Sequence, residues 1–288
     1  MSFCKAALSL AVLLLAFASL ALAQGTYTQF DVPGATFTIG EAIDAAGDIV
    51  GDYGDVSGNQ HGFLLSGGTY TTIDPPGSTI TALPGINDMG QIVGKGNASA
   101  SGFLYDVATQ TFTAIGYPNA NETGPYAINN AGTIAGWVVY RANQVHGFEL
   151  VGSTYREISP PRSSYSEALG ITASGTLFGV ATRDHTELTF SFDKGKYSER
   201  VIPNAPGAVV NGVNPAGTAL VGTYIPSSSV YAGFIYQNNT LTTLQFPGST
   251  FTETFGINAA GDVVGLFEDV EGNGHGFTWT PPADAAKK

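Results

Sequence analysis

Short apolar runs bounded by glycine recur along this chain at an almost constant distance. A core of the form (Gly/Ala)-(Ile/Val)-(Asn/Asp/Thr)-x-x-Gly occurs six times, and its final glycines are spaced 43, 42, 43, 42 and 44 residues apart. These turn glycines are Gly47, Gly90, Gly132, Gly175, Gly217 and Gly261. A fixed period of this length indicates that the chain is built from repeated structural units.

Each repeat is typical of four short β-strands, which we call a to d. Strand a ends in a polar residue, usually Asn, whose side chain can accept hydrogen bonds from the following backbone amides while the turn glycine takes positive φ. Strand b is an Ile-Val-Gly run, strand c carries a pair such as Gly62-Phe63, and strand d alternates polar and apolar side chains. Four strands in about 43 residues is the size of a β-propeller blade.

The two ends of the repeat region complement each other. Residues 26–31 match strand d, whereas the last repeat stops after its strand c at residues 277–279. Pairing these ends would leave no exposed sheet edge. We therefore predict an all-β protein, a six-bladed β-propeller closed by the N-terminal strand pairing with the last blade. An open solenoid is the alternative, although polar capping repeats are absent from the sequence.

The first residues resemble an export signal. Lys5 precedes an apolar run from Ala6 to Ala23 that ends in a small-x-small triplet, so we expect cleavage after Ala23. An uncleaved membrane anchor is the alternative. The predicted organisation is a signal peptide at 1–23, one propeller domain at 24–282 and a tail at 283–288. The expected location is secreted or periplasmic.

Composition limits the partners and the chemistry. Hydrophobic residues make up 43% of the chain and charged residues 12%, which is typical of a folded protein. Acidic residues outnumber basic ones 23 to 11, so we expect no binding to nucleic acid and none to membrane after signal cleavage. The single cysteine, Cys4, precedes the expected cleavage point. Cysteine chemistry is therefore excluded from the mature chain.

Three repeats carry a His-Gly-Phe triplet, at residues 61–63, 146–148 and 275–277. With the Gly-Ile-Asn-x-x-Gly-x-Ile-Val-Gly stretch, these triplets resemble the secreted bacterial HAF-type extracellular repeats, which are named for His-Ala-Phe. The resemblance spans the whole predicted propeller, although repeats four and five depart from the pattern at Thr172, Thr189 and Pro215. It implies an exported propeller-like protein of no established activity.

The b–c loops are the predicted binding surface, because their lengths vary between repeats while the a–b turns stay short. We expect a non-enzymatic protein that binds an extracellular glycan or protein through this face. The candidate ligand-binding residues are Tyr53, Trp137, Tyr140, Arg141, Arg183, Tyr224 and Tyr231. Ordinary packing of loop side chains is the alternative for the aromatic members of this set.

Two acidic b–c loops are nearly identical in sequence, and the predicted ring makes their blades neighbours. Asp55, Asp269 and Glu271 are therefore candidate ligands for Ca²⁺, the one cofactor that the sequence suggests. The favoured alternative is two solvated turns, because Asp, Gly and Asn are common turn residues. The repeated histidines diverge from the axis, so we do not expect them to share a metal.

A catalytic alternative rests on three glutamates. Glu41, Glu167 and Glu253 precede the turn glycines by 6, 8 and 8 residues, and we expect them on d–a connections that enter the central strands. Carboxylates around a central funnel could serve as acid and base in a secreted polysaccharide hydrolase or lyase. No nucleophile elbow, zinc motif or phosphate loop is present in the sequence, so whether the protein is an enzyme stays open.

Overall fold

A computed structural model describes residues 25–141, 144–205, 207–228 and 230–282. The predicted signal peptide and tail lie outside these ranges. The described residues form 24 β-strands. None of these residues belongs to a helix with the length and hydropathy of a membrane span.

The strands are short and follow one another closely. The first twelve are β1 (Thr26–Phe30), β2 (Phe37–Ile43), β3 (Ile49–Gly54), β4 (Gln60–Ser66), β5 (Thr69–Thr72), β6 (Thr81–Ile86), β7 (Gln91–Gly96), β8 (Gly102–Asp106), β9 (Thr111–Ile115), β10 (Glu122–Ile128), β11 (Ile134–Val139) and β12 (Val145–Val151). The other twelve are β13 (Thr154–Ile158), β14 (Tyr165–Ile171), β15 (Leu177–Arg183), β16 (Thr186–Asp193), β17 (Lys196–Arg200), β18 (Val209–Val213), β19 (Ala219–Ser227), β20 (Val230–Gln237), β21 (Thr240–Leu244), β22 (Thr252–Ile257), β23 (Val263–Glu268) and β24 (Gly274–Thr280).

Six antiparallel sheets of four strands contain all of these elements. Five sheets follow the chain order, from β2-β3-β4-β5 in blade one to β18-β19-β20-β21 in blade five. The sixth has the order β1-β24-β23-β22, so its outer strand comes from the other end of the described chain. The predicted six-bladed β-propeller is confirmed, with β2, β6, β10, β14, β18 and β22 as inner strands.

Strand β1 closes the ring. It pairs with β24 in a continuous antiparallel register from Thr26 opposite Thr280 to Phe30 opposite Gly276. The Tyr27 ring packs against Phe246 and Phe277, and its hydroxyl accepts a 3.1 Å hydrogen bond from the backbone amide of Gln245. The first strand therefore contacts both blade six and blade five.

The hydrophobic core lies between adjacent blades. One cluster, for example, joins Val50, Leu64 and Ile73 of blade one to Leu83 and Phe103 of blade two. Strand c contributes a phenylalanine to each blade, and five of these are at most 1% exposed: Phe63, Phe148, Phe190, Phe234 and Phe277. Outer strands such as β5 and β9 are largely exposed, as their alternating sequences predicted. Each sheet thus buries its faces against its neighbours.

The a–b turns form as predicted. In the second repeat, Asn87 Oδ1 accepts hydrogen bonds from the backbone amides of Met89 at 3.1 Å and Gln91 at 3.0 Å. The turn glycine Gly90 has φ of 71°, a region that glycine adopts without steric cost. Residues 44, 129, 172, 214 and 258 accept equivalent bonds in the other repeats.

The same asparagines also join the blades, which the sequence did not predict. Asn87 Nδ2 donates to the carbonyl of Asn129 at 3.0 Å, and Asn129 Nδ2 donates to the carbonyl of Thr172 at 3.0 Å. Asn258 Nδ2 donates to the carbonyl of Asp44 at 3.1 Å, across the closure of the ring. Asp44 and Thr172 carry no side-chain amide, so neither can continue this pattern to the next blade.

These inter-blade bonds generate a prediction for the Asp44→Asn variant. An asparagine there would keep the turn bonds, remove a carboxyl whose pKa is raised by burial, and supply the kind of side-chain amide that joins other blades. We expect the free energy of unfolding in urea to rise by about 1 kcal/mol. Asn129→Asp is the matched reverse change and should lower it by about 1–3 kcal/mol. A loss of stability in Asp44→Asn would contradict this role of the side-chain amide.

Candidate axial binding site

A β-bulge interrupts every inner strand at an equivalent position. In blade one the register passes from Gly40 opposite Gly51 to Ala42 opposite Val50, which leaves Glu41 as the extra residue. The other inner strands shift register at the corresponding place. The resulting bulge layer consists of Glu41, Pro84, Tyr126, Leu169, Asn211 and Phe255. Bulges commonly redirect a side chain at a functional site.

A glycine on strand b faces each bulge. A methyl group at Gly51 would overlap the carbonyl oxygen of Ile39, just before the bulge. The equivalent glycines of the other blades, Gly94, Gly136, Gly179, Gly222 and Gly265, face a strand-a carbonyl in the same way. The final glycine of the repeated Ile-Val-Gly run therefore lets the inner strand bulge against strand b.

All six bulge-layer residues line a cavity of about 120 Å³ on the axis of the ring. Above them lies an aliphatic layer, Ile43, Ile86, Ile128, Ile171, Val213 and Ile257. The outermost lining is a turn rim formed by Ala45, Asp88, Asn130, Ala173, Pro215 and Ala259, all exposed to solvent. The cavity therefore opens on the face of the ring that carries the a–b turns, which we call the a–b face. Polar groups lie at both of its ends.

Two polar side chains in the bulge layer have no hydrogen-bond partner among the described residues. Glu41 and Tyr126 are enclosed by the ring, and the surface they retain borders the cavity. Buried polar groups are almost always paired with protein or water. Their oxygens are therefore free to bind water or a ligand.

Burial raises the pKa of Glu41 in the bulge layer and of the neighbouring acid Asp52. Desolvation raises the pKa of Glu41 well above its ordinary value, and the charges of Asp52 and Glu253 raise it further. The Asp52 side chain lies on β3 and accepts a 2.7 Å hydrogen bond from Gln60 Nε2. Burial nevertheless raises the pKa of Asp52 to about 7. Carboxyl groups in a shared low-dielectric site cannot all ionise freely.

The three predicted catalytic glutamates lie on inner strands, so their placement on d–a connections was wrong. Glu41 belongs to β2, Glu167 to β14 and Glu253 to β22. All three raise the pKa of the Tyr126 hydroxyl, after the larger effect of its own burial. They therefore surround the centre of the ring. Only Glu41 lines the cavity, because the other two precede the bulge in their strands.

The predicted ligand-binding residues are distributed differently from the expectation. Tyr53, Trp137, Arg183, Tyr224 and Tyr231 lie within strands rather than loops, because strands b and c extend beyond their apolar runs. Tyr140 and Arg141 are the first two residues after β11.

Several of these side chains make contacts within their own blade. Tyr53 and Tyr224 each place the hydroxyl against a strand-d threonine, at 2.9 Å and 2.6 Å. Trp137 packs over Gly124 of its own inner strand. Of the seven candidates, the exposed residues are Arg141 and Tyr231.

Polar partners within the blade hold two more candidates. Arg183 forms an ion pair with Glu199. Tyr140 donates from its hydroxyl to Glu157 Oε2 at 3.1 Å, beside His146. Roles for these residues in binding remain predictions.

The repeated histidines bind carboxylates within their own blades. His61 lies between Asp74, at 2.6 Å from Nδ1, and Asp55, at 3.3 Å from Nε2. His275 repeats this arrangement with Asp31 and Asp269, so it also joins the N-terminal strand to blade six. The sequence signal was available, because the repeats with histidine also carry an acid on or just after strand d.

The carboxylates of the two acidic b–c loops bind backbone amides of their own loops, and calcium binding there remains a prediction. Asp55 Oδ1 accepts hydrogen bonds from the backbone amides of Ser57 and Asn59, at 2.8 Å and 2.9 Å. The hydrogen bond from the Asn59 side chain, followed by these amide bonds, lowers the pKa of Asp55. Asp269 does the same in its own loop with Glu271 and Asn273. No group of three or more His, Cys, Asp or Glu side chains in the described ranges is placed to hold a metal.

Comparisons with solved structures support the fold. TolB from Acinetobacter baumannii has a TM-score of 0.59 at 13% identity, over 81% of this chain and 63% of that protein. A putative TolB from Agrobacterium tumefaciens gives 0.57 at 11% identity, over 70% and 75% of the two chains. Virginiamycin B lyase from Staphylococcus aureus gives 0.51 at 13% identity, over 88% and 99%.

These similarities establish a β-propeller fold and no more. The chain spans less than two thirds of the Acinetobacter TolB. No protein-family model matches the sequence, so the HAF-type resemblance is unconfirmed. No curated protein matches it either.

The raised pKa of Asp52 generates a prediction about pH. A carboxyl with a higher pKa in the folded than in the unfolded state stabilises the protein most below the unfolded value, here 3.8, and loses that contribution as pH rises towards 7. As pH rises from about 5 to 8, the free energy of unfolding should fall in the wild type. In Asp52→Asn we expect this fall to be smaller by on the order of 2 kcal/mol.

Glu271→Gln, which alters an exposed carboxylate, provides the control for urea unfolding at the two pH values. Its free energy of unfolding should change with pH as that of the wild type does. Parallel curves for the wild type and Asp52→Asn would show that Asp52 ionises normally in the folded protein.

Proposed function

We propose that this chain is an exported, non-enzymatic binding protein that recognises an extracellular glycan or protein. Export is supported by the apolar segment at residues 6–23, which leads us to propose a secreted or periplasmic location. The observation that carries binding is the axial cavity, into which each inner strand contributes one bulge-layer residue. A rigid scaffold with a concave, partly polar pocket is the usual form of a binding site.

The cavity favours the a–b face as the binding surface. The sequence interpretation chose the b–c face from its loop lengths, but the cavity opens among the short a–b turns. Several b–c candidates are already engaged within their blades, including Tyr53, Tyr224 and Arg183. A ligand can insert one group into the axis and rest its remaining surface on the turn rim.

A binding screen of residues 24–288 against glycan and extracellular-protein arrays tests this proposal. Leu169→Phe should fill part of the cavity and weaken binding about tenfold or more, which corresponds to about 1.4 kcal/mol. The double variant Arg141→Ala, Tyr231→Ala alters the b–c face and should bind as the wild type does. Both variants should retain the wild-type melting temperature within a few degrees. The opposite pattern would assign binding to the b–c face.

A hydrolase or lyase is the second candidate, favoured by the acidic neighbours Asp52 and Glu253, whose charges add to burial in raising the pKa of Glu41. Acid catalysis uses carboxyls that stay protonated near neutral pH. A polysaccharide cut within its chain needs contacts for sugar units on both sides of the bond, so the small size of the cavity, about 120 Å³, favours the binding proposal. Turnover in a polysaccharide hydrolysis screen that Glu41→Gln or Glu253→Gln abolishes would replace the binding proposal.

A further inference from the structure

We propose that the axial cavity binds an ammonium or guanidinium group carried on an aliphatic stem. This inference rests on the proposed binding function and specifies the chemical class of its ligand. It follows from the order in which the bulge layer, the aliphatic layer and the turn rim succeed one another along the cavity.

The deepest layer offers what an organic cation requires. Glu41 provides a carboxyl without a hydrogen-bond partner in the described part of the chain, and the aromatic side chains of Tyr126 and Phe255 line the same layer. Tyr126 lies close enough to Glu41 for its charge to affect the phenol. A carboxylate combined with aromatic rings is a favourable environment for ammonium and guanidinium groups.

The aliphatic layer is suited to contact the methylene stem of such a ligand. One Ile or Val from each blade lines the cavity between the bulge layer and the turn rim. Lys and Arg side chains bury their methylene groups along apolar surface while the charged end reaches a polar site. A compact inorganic ion would gain nothing from such a layer, and the described residues provide no group of metal ligands.

The ionisable side chains that line the cavity are acidic apart from Tyr126. Asp44 and Asp88 line it near the rim, and the charges of Asp52, Glu167 and Glu253 add to burial in raising the pKa of Tyr126 in the bulge layer. None of the lining residues is Lys, Arg or His. Lys95 lies on β7 in blade two, where it pairs with Glu122 at 3.1 Å. An entering cation would therefore be attracted at the rim and would compensate Glu41 at the bottom.

Binding should be coupled to proton release. Without a cation, burial and the neighbouring acids keep the Glu41 carboxyl protonated more than an exposed glutamate. A bound cation favours the carboxylate, so Glu41 loses its proton to solvent when the complex forms. The affinity must then increase with pH, whereas a neutral ligand of the same shape would show no such dependence.

Calorimetry with blocked amino acids tests this assignment on residues 24–288. The cationic probes are N-acetyl-lysine and N-acetyl-arginine methylamides; their neutral counterparts carry an acetylated lysine side chain or citrulline. We expect the cations to bind at least about tenfold more tightly than the neutral probes, and to gain about tenfold between pH 5 and pH 8. Heats measured in two buffers should reveal the released proton.

Two variants separate the site from general electrostatics. Glu41→Gln should abolish the preference for cations and the proton release, while retaining or raising the melting temperature because it removes a buried carboxyl. Glu271→Gln removes one exposed charge and should bind as the wild type does. Butylammonium and butylguanidinium distinguish a free small cation from a side chain of a protein partner. Affinity equal to that of the blocked amino acids indicates a free small cation. Much weaker affinity indicates a Lys or Arg side chain of a protein partner.

The assignment fails if no cationic probe binds at millimolar concentration, if neutral probes bind equally, or if Glu41→Gln changes nothing. The proposed binding function is tested separately by the array screen. A glycan or protein ligand that depends on the cavity, combined with no response to these cations, would retain that function and reject the cationic ligand.

Discussion

The contact between a strand-b glycine and the carbonyl of the neighbouring inner strand controls the centre of this molecule. Because the glycine lacks a side chain, the inner strand can approach it closely and accommodate one extra residue. That extra residue turns towards the axis. Six repetitions of this contact create the bulge layer, and with it the cavity on which the functional proposals rest.

Ring closure makes this inner wall continuous. The asparagines at the ends of inner strands join blades two to three, three to four and six to one by side-chain amide bonds. Strand β1 completes blade six, and the His275–Asp31 pair holds it against strand c. The bulge-layer side chains are thus supported by strands rather than loops, which favours a preorganised site.

Much of the fold could be predicted from the sequence, because period, turn chemistry and strand alternation repeat six times. The bulges could not, since an extra residue such as Glu41 leaves no mark on a short apolar run. The prediction that residues such as Trp137 lie in loops was wrong, because strand b continues past its Ile-Val-Gly core. The sequence suggested three glutamates around a central funnel, but it did not give their separation. Their positions on inner strands, and the fact that Glu41 alone of the three lines the cavity, required the structure.

Comparing Gly51→Ala with Gly58→Ala tests the central claim most directly. A methyl group at Gly51 would overlap the Ile39 carbonyl beside the Glu41 bulge, whereas one at Gly58 meets no atom and only strains a positive φ of 85°. We predict that Gly51→Ala lowers the free energy of unfolding by on the order of 3 kcal/mol, against about 1 kcal/mol for Gly58→Ala. An equal or smaller loss in Gly51→Ala would contradict the account.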